Sequence, residues 1–209
     1  MIDLINLALA LNTDGRHCVG DHIRIGLHCT ADPAVRAVAA DIIIKWEPTV
    51  LRLDGIDTSV GTMPFVYCDF PSPKSLLNDL SGINEAIPPA DGDALIYWLC
   101  ELGSVVMADD DTMVVFEFTV VSPFTTTTVG FVPELTYTGY PEWTVIYGTN
   151  TPGQVATGTL TDAVIRWNAN DINSDGVIGP ADLAAVLSNW GSGSPTLLAG
   201  VLGDWGQCN

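Results

Sequence analysis

The sequence predicts a mainly β protein: an antiparallel β-sandwich over residues 1–168, then a small α-helical module with a calcium loop over residues 169–209. Three observations carry this. Short β-branched and aromatic runs separated by turn residues fill the first part. A twelve-residue pattern of oxygen-bearing side chains begins at Asp171 and runs into a helix. Hydrophobic content of 47% with only 15% charged residues supplies enough apolar surface for a core.

The expected strands follow in order. Ile2–Leu11 comes first, closed by a turn over Asn12 to Gly15. His22–Cys29 alternates, with Ile23, Ile25 and Leu27 on one face. Ala39–Trp46 ends at Glu47 and Pro48, and Val50–Ile56 follows closely. Beyond Met63–Tyr67 lies a proline-rich irregular stretch over 69–93, with a short helix expected near Ser75–Leu80. Strands resume at Ala94–Cys100, Met113–Val121, Thr127–Val132, Trp143–Tyr147 and Gly158–Trp167. The boundary falls at Asn168 to Asn170.

In the loop, Asp171, Asn173 and Asp175 offer side-chain oxygens, Val177 its backbone carbonyl, and Asp182 a closing carboxylate. That spacing wraps a hard cation in six to eight oxygens at about 2.3–2.6 Å. Gly176 permits the sharp turn, and a water is expected near Gly179. The bland alternative is a polar turn that caps the helix expected over Leu183–Trp190. The stretch Pro180–Gly191 is echoed at Pro195–Gly206, with seven of twelve positions identical. The segment resembles a dockerin repeat, which implies a calcium loop with its exit helix and, in the family, a second copy. Here the second copy has lost its loop, since Leu197 stands where Asp182 closes the first. One Ca²⁺ is therefore expected. Leu183, Val186, Leu187 and Trp190 are expected to face Leu198, Val201, Leu202 and Trp205 in an antiparallel helix pair.

The sandwich carries a second resemblance. In Asp41–Ile56 a strand ends in Trp46, Glu47 and Pro48, and the next begins Val50-Leu51. With Val114–Val120 and Thr125–Phe131, this is similar to cohesin-like domains, which implies a jelly-roll sandwich and a protein-binding role. Dockerins often carry hydroxyl residues just before the closing acid, to contact a cohesin. This chain has Pro180 and Ala181 there, so recognition is expected to be apolar, over Pro180, Ala181, Ala184 and Ala185.

A formal net charge of −18, seven Lys and Arg against 25 Asp and Glu, works against nucleic acid and anionic lipid. No apolar run is long enough to span a membrane. Ile2–Leu11 lacks the basic flank and cleavage site of a signal peptide. Because such calcium loops work at extracellular calcium levels, a secretory signal is expected to have been removed or to lie outside this numbering. Five cysteines suit an oxidising compartment. Cys68 and Cys100 are expected to pair, and the odd count leaves at least one thiol unpaired or linked between chains, with Cys208 as the residue left over.

Asp109 to Asp111 and Asp91 to Asp93 read as solvated turns rather than second cation sites. Tyr137, Tyr140, Trp143, Tyr147 and Trp167 could stack on sugars, but sandwich packing uses the same residues. His22 and His28 lie too far apart along one strand for joint ligation. No catalytic constellation emerges, and an enzyme is not expected. The function expected is extracellular, calcium-dependent protein–protein adhesion, with a cohesin- or dockerin-type partner or another copy of the chain, docking head to tail into fibres. A carbohydrate-binding module anchored by its tail, and a tail packed on its own sandwich, are the alternatives.

Overall fold

The computed structural model describes residues 5–12, 15–31, 36–57, 59–60, 92–99, 105–106, 111–132, 135–137, 140–142, 144–148, 157–191, 193–206 and 208. Its strands are β1 (Ile5–Leu11), β2 (Arg16–His17), β3 (His22–Ala31), β4 (Arg36–Lys45), β5 (Leu51–Asp57), β6 (Asp93–Leu99), β7 (Val105–Val106), β8 (Asp111–Val120), β9 (Thr126–Phe131), β10 (Leu135–Tyr137), β11 (Tyr140–Glu142), β12 (Val145–Gly148), β13 (Thr157–Thr161) and β14 (Ala163–Trp167). Two helices follow, α1 (Pro180–Ser188) and α2 (Ser194–Gly203). The expected strand Met63–Tyr67, the helix near Ser75–Leu80 and the pair Cys68 and Cys100 lie outside the described residues.

One sheet runs β13-β1-β3-β8-β5 and the other β12-β4-β9-β14-β2, with β6 and β7 also on β4. Pairing is antiparallel except for β1 with β13 and β14 with β2, which run parallel. Strand alternation builds the core. Ile5, Leu7 and Leu9 of β1, Ile23, Ile25 and Leu27 of β3, and Phe116 and Phe118 of β8 all point inward. They meet Ile42 and Ile44 of β4 and Ile165 of β14. Each such side chain contributes about 1.5–3 kcal/mol when fully buried. Trp46, at the end of β4, packs edge-on against Phe118 with ring centroids 5.3 Å apart.

The single strand expected over Gly158–Trp167 is two strands in two different sheets. β13 pairs with β1 and β14 with β9, and Asp162 marks the corner between them. Its carboxylate accepts a hydrogen bond from the Phe131 N–H at 2.9 Å. A Cβ on Gly130 would lie 2.9 Å from that same carboxyl group, so glycine makes the room for the corner. Each side alternates, but the inward parity shifts by one residue at the corner, from Leu160 to Ala163 and Ile165; the apolar run Ala163 to Ile165 hides that shift in the sequence.

In the tail, α1 starts three residues before the expected Leu183. Gly179 is its N-cap, Pro180 occupies the first turn, and Asp182 accepts a hydrogen bond from the Gly179 N–H at 2.9 Å. The helix pair forms, but its contact is narrower than expected. Val186 and Val201 are buried with Ile178, and Leu183, Leu198 and Cys208 pack against them. Leu187, Trp190, Leu202 and Trp205 are instead exposed, Leu187 at 54% and Trp190 at 56%. Leu187 and Leu202 stand about 100° round their helices from the inward valines. Helices of nine and ten residues meet along one stripe only. Val201→Ala is therefore expected to cost about 2 kcal/mol. Leu202→Ala should stay within about 0.5 kcal/mol. Urea midpoints of the two variants check this; equal losses would restore the wider interface.

Candidate metal centre

The loop from Asp171 to Asp182 folds its acceptors inward by bonding each to a backbone N–H. Asp171 Oδ1 accepts from the Asp175 N–H and Asp171 Oδ2 from the Gly176 N–H, both at 3.2 Å. Asn173 Oδ1 also accepts from the Asp175 N–H at 3.2 Å, and Asp175 Oδ1 from the Val177 N–H at 2.9 Å. Asp182 Oδ1 reaches back across the loop to the Ile172 N–H at 2.7 Å. Ser174 and Gly176 take the left-handed backbone conformation that makes the turn this tight.

Three carboxylates thus converge: one ligand atom each from Asp171, Asp175 and Asp182 lies within 4.8 Å of the others. Oxygens bound to one calcium ion lie no more than about 5 Å apart, so the spacing fits. Asp171 is 2% exposed and Asp182 0%. Burial pushes the Asp171 carboxyl above its ordinary pKa, and the charges of Asp182 and Asp175 add to that rise, against hydrogen bonds from Gly176 and Asp175 that lower it. No Lys, Arg or His occurs in residues 169–209, and none of the ion pairs among the described residues includes these three acids. The donors are all hard oxygens, held around a common point without a protein cation. Such a set fits Ca²⁺ and not a thiophilic metal.

The loop also rests on the sandwich. A Cβ on Gly176 would sit 2.4 Å from the Val19 carbonyl oxygen, so only glycine allows this approach. The Asn168 N–H donates to the His17 carbonyl at 2.9 Å, and Asn168 and Asn170 at the junction are both buried. Asn170 Nδ2 donates to Asp204 Oδ2 at 2.7 Å, and the Gly206 N–H to the Ile178 carbonyl at 2.9 Å. A disulfide joins Cys18 to Cys208 with Cα atoms 5.5 Å apart. Cys208 is therefore not the cysteine left over. Sequence reasoning missed this bridge, together with β2 and Asn170.

Burial pushes the His17 imidazole below its ordinary pKa of 6.5, against the opposing pull of Asp21 3.5 Å away. A lowered folded-state pKa means the unfolded chain takes up the proton first. The stability is complete above pH 6.5 and is lost as pH falls from there through the folded-state value. The urea midpoint is expected to be lower at about pH 5 than at about pH 8. His17→Gln should flatten that difference, and an equally steep profile in the variant would place the titration elsewhere.

Of the expected partner face, Pro180, Ala181 and Ala184 are exposed and Ala185 is half-buried. Trp167, half-buried, packs edge-on against Phe124 at 5.5 Å. The side chains of Tyr137, Tyr140, Trp143 and Tyr147 lie outside those described. Among the described residues no helix is long and apolar enough to cross a membrane.

No protein-family model matches the chain, and neither does any curated protein. Solved structures do. A chain of a type I cohesin–dockerin complex from Clostridium thermocellum is similar at a TM-score of 0.53 and 12% identity, over 78% of this chain and 99% of that one. The third ScaC cohesin of Acetivibrio cellulolyticus, in complex with a dockerin, gives 0.51 and 11% over 78% and 99%. A cohesin module from a Clostridium perfringens family 33 glycoside hydrolase gives 0.50 and 10% over 77% and 96%. The share of this chain that is covered is close to that of the span from β1 to β14. At such identities the likeness is one of fold, and the fold is that of the cohesin sandwich.

Proposed function

We propose that this chain is a non-catalytic, extracellular protein–protein interaction module, whose cohesin-fold sandwich binds protein and whose tail binds one Ca²⁺. Asp171, Asn173, Asp175, the Val177 carbonyl and Asp182 would hold the ion, which would supply the positive charge missing beside the buried Asp171 and Asp182 and the exposed Asp175. The observation that carries the reading is Gly176 packed against Val19, because it makes the metal loop part of the sandwich surface. Calcium then acts on the shape of the binding domain and not on a free appendage. The Cys18–Cys208 bridge supports an oxidising, extracellular setting. Two of the similar cohesins are in complexes with dockerins, which supports a protein as partner.

A second reading, docking of the tail on the sandwich of another copy, is favoured by one observation. All the exposed large hydrophobic side chains described, except Val121 and Val164, belong to the tail. Calorimetry tests the first reading: one ion per chain, lost in Asp182→Ala. Sedimentation over a range of concentrations tests the second, which predicts growth in calcium and dissolution by chelator. A monomer at every concentration would end it and leave the first reading intact.

A further inference from the structure

Three segments far apart in the sequence meet at one end of the sandwich. The turn after β2 brings Cys18 and Val19, the loop brings Gly176 and Ile178, and the C-terminus brings Gly206 and Cys208. Cys18 is fully buried, and Cys208 packs against the small core of Ile178, Val186 and Val201. The loop touches both anchors of the bridge. Gly176 lies on Val19, next to Cys18, and the Ile178 carbonyl holds the Gly206 N–H, two residues before Cys208. Asn170, one residue before the first metal ligand, adds a third tie. It bonds Asp204 and fills the space where a side chain on Gly200 would stand. Whatever fixes the loop therefore fixes the cover over the bridge.

We propose that these contacts form a calcium-gated latch. With Ca²⁺ in the loop the Cys18–Cys208 bridge is shielded from thiols; without it the loop loosens, the bridge is open to a dithiol, and the tail can leave the sandwich. The proposal rests on the calcium reading above. In the exchange, a thiolate of the dithiol attacks one sulfur and displaces the other. Its second thiol then closes a cyclic disulfide, so two electrons pass from the dithiol to the bridge and both cysteines leave as thiols. Linkage works in both directions: an intact bridge holds the loop in its binding shape and raises calcium affinity.

The test uses the full chain and dithiothreitol, with alkylation of Cys18 and Cys208 followed by mass spectrometry. Reduction is expected to be on the order of a hundredfold slower in saturating calcium than in chelator, because attack waits on local opening. Two variants interrupt the contacts and keep the ligands. Gly200→Ala drives a Cβ into the Asn170 side chain, and Asn170→Ala removes the tie to Asp204. Each should still bind one ion by calorimetry yet lose most of the protection, and one of the two suffices if the other fails to fold. Equal reduction rates with and without calcium, while calorimetry records the ion, overturn the latch and leave the calcium site standing. Protection retained in the variants overturns it as well. No bound ion in the wild type removes the site and the latch together.

Discussion

Asp171→Asn is expected to change stability in opposite directions with and without calcium. In chelator, the native side chain is a buried carboxylate facing Asp182 and Asp175 with no cation beside it, and that cost is what raises its pKa. An amide keeps an oxygen for the Asp175 or Gly176 N–H and removes the repelling charge, so the variant should unfold at higher urea than the wild type. In calcium the order reverses. The wild type gains the binding free energy, about 4 kcal/mol when calcium exceeds the dissociation constant a thousandfold, and the variant loses most of that. Asp171→Ala should abolish binding altogether and loosen residues 169–209. Their core is three buried side chains, so bound metal would supply a large share of what holds them. Urea titrations in calcium and in chelator read the crossing. If the variant is more stable in both, the three acids are a strained cluster and not a metal site.

Much of this was legible in the sequence, for identifiable reasons. The convergence of Asp171, Asp175 and Asp182 could be read because their spacing within one loop is a local property of the chain. The sandwich could be read because a period of two is a local property, and Ile23, Ile25 and Leu27 all face inward as their alternation demands. The cohesin fold followed from Trp46, Glu47 and Pro48, and Trp46 does close the core against Phe118. What failed was long-range or depended on how little of a helix touches its neighbour. The repeat of Leu and Trp residues correctly indicated two like helices. Yet periodicity cannot say which of four apolar positions per helix fall on a stripe only one residue wide, and Leu187 and Trp190 fell outside it. The sheet switch at Asp162 is hard to read because Ala163, Val164 and Ile165 are all apolar and hide the one-residue shift in parity. The Cys18–Cys208 pairing spans 190 residues, and connectivity at that range has no sequence signature.

Replacing both Cys18 and Cys208 with serine is expected to produce the other large effect. The bridge closes a loop with a sequence separation of 190 residues, nearly the whole chain. On the chain-entropy account such a closure removes about 5 kcal/mol of freedom from the unfolded state, and native-state strain brings most measured values below that ceiling. The loss should not be spread evenly. The sandwich core, from Ile5 to Ile165, makes no use of either sulfur, so its own unfolding should move little once the unfolded chain is no longer cyclised. The tail loses a covalent anchor beside a core of only Ile178, Val186 and Val201. In calcium the bridged protein should therefore unfold in one step, and the double serine variant in two, with the tail first. Hydrogen exchange separates them: amides of α1 and α2 should exchange at the rate of global opening in the wild type and much faster in the variant. Calcium affinity should fall in parallel, since the open tail no longer presents Gly176 to Val19 with the loop already shaped. A variant with unchanged exchange in α1 and α2 would mean that the hydrogen bonds at Asn168, Asn170 and Gly206 hold the tail without the bridge. The coupling between metal and disulfide would then lose its physical basis.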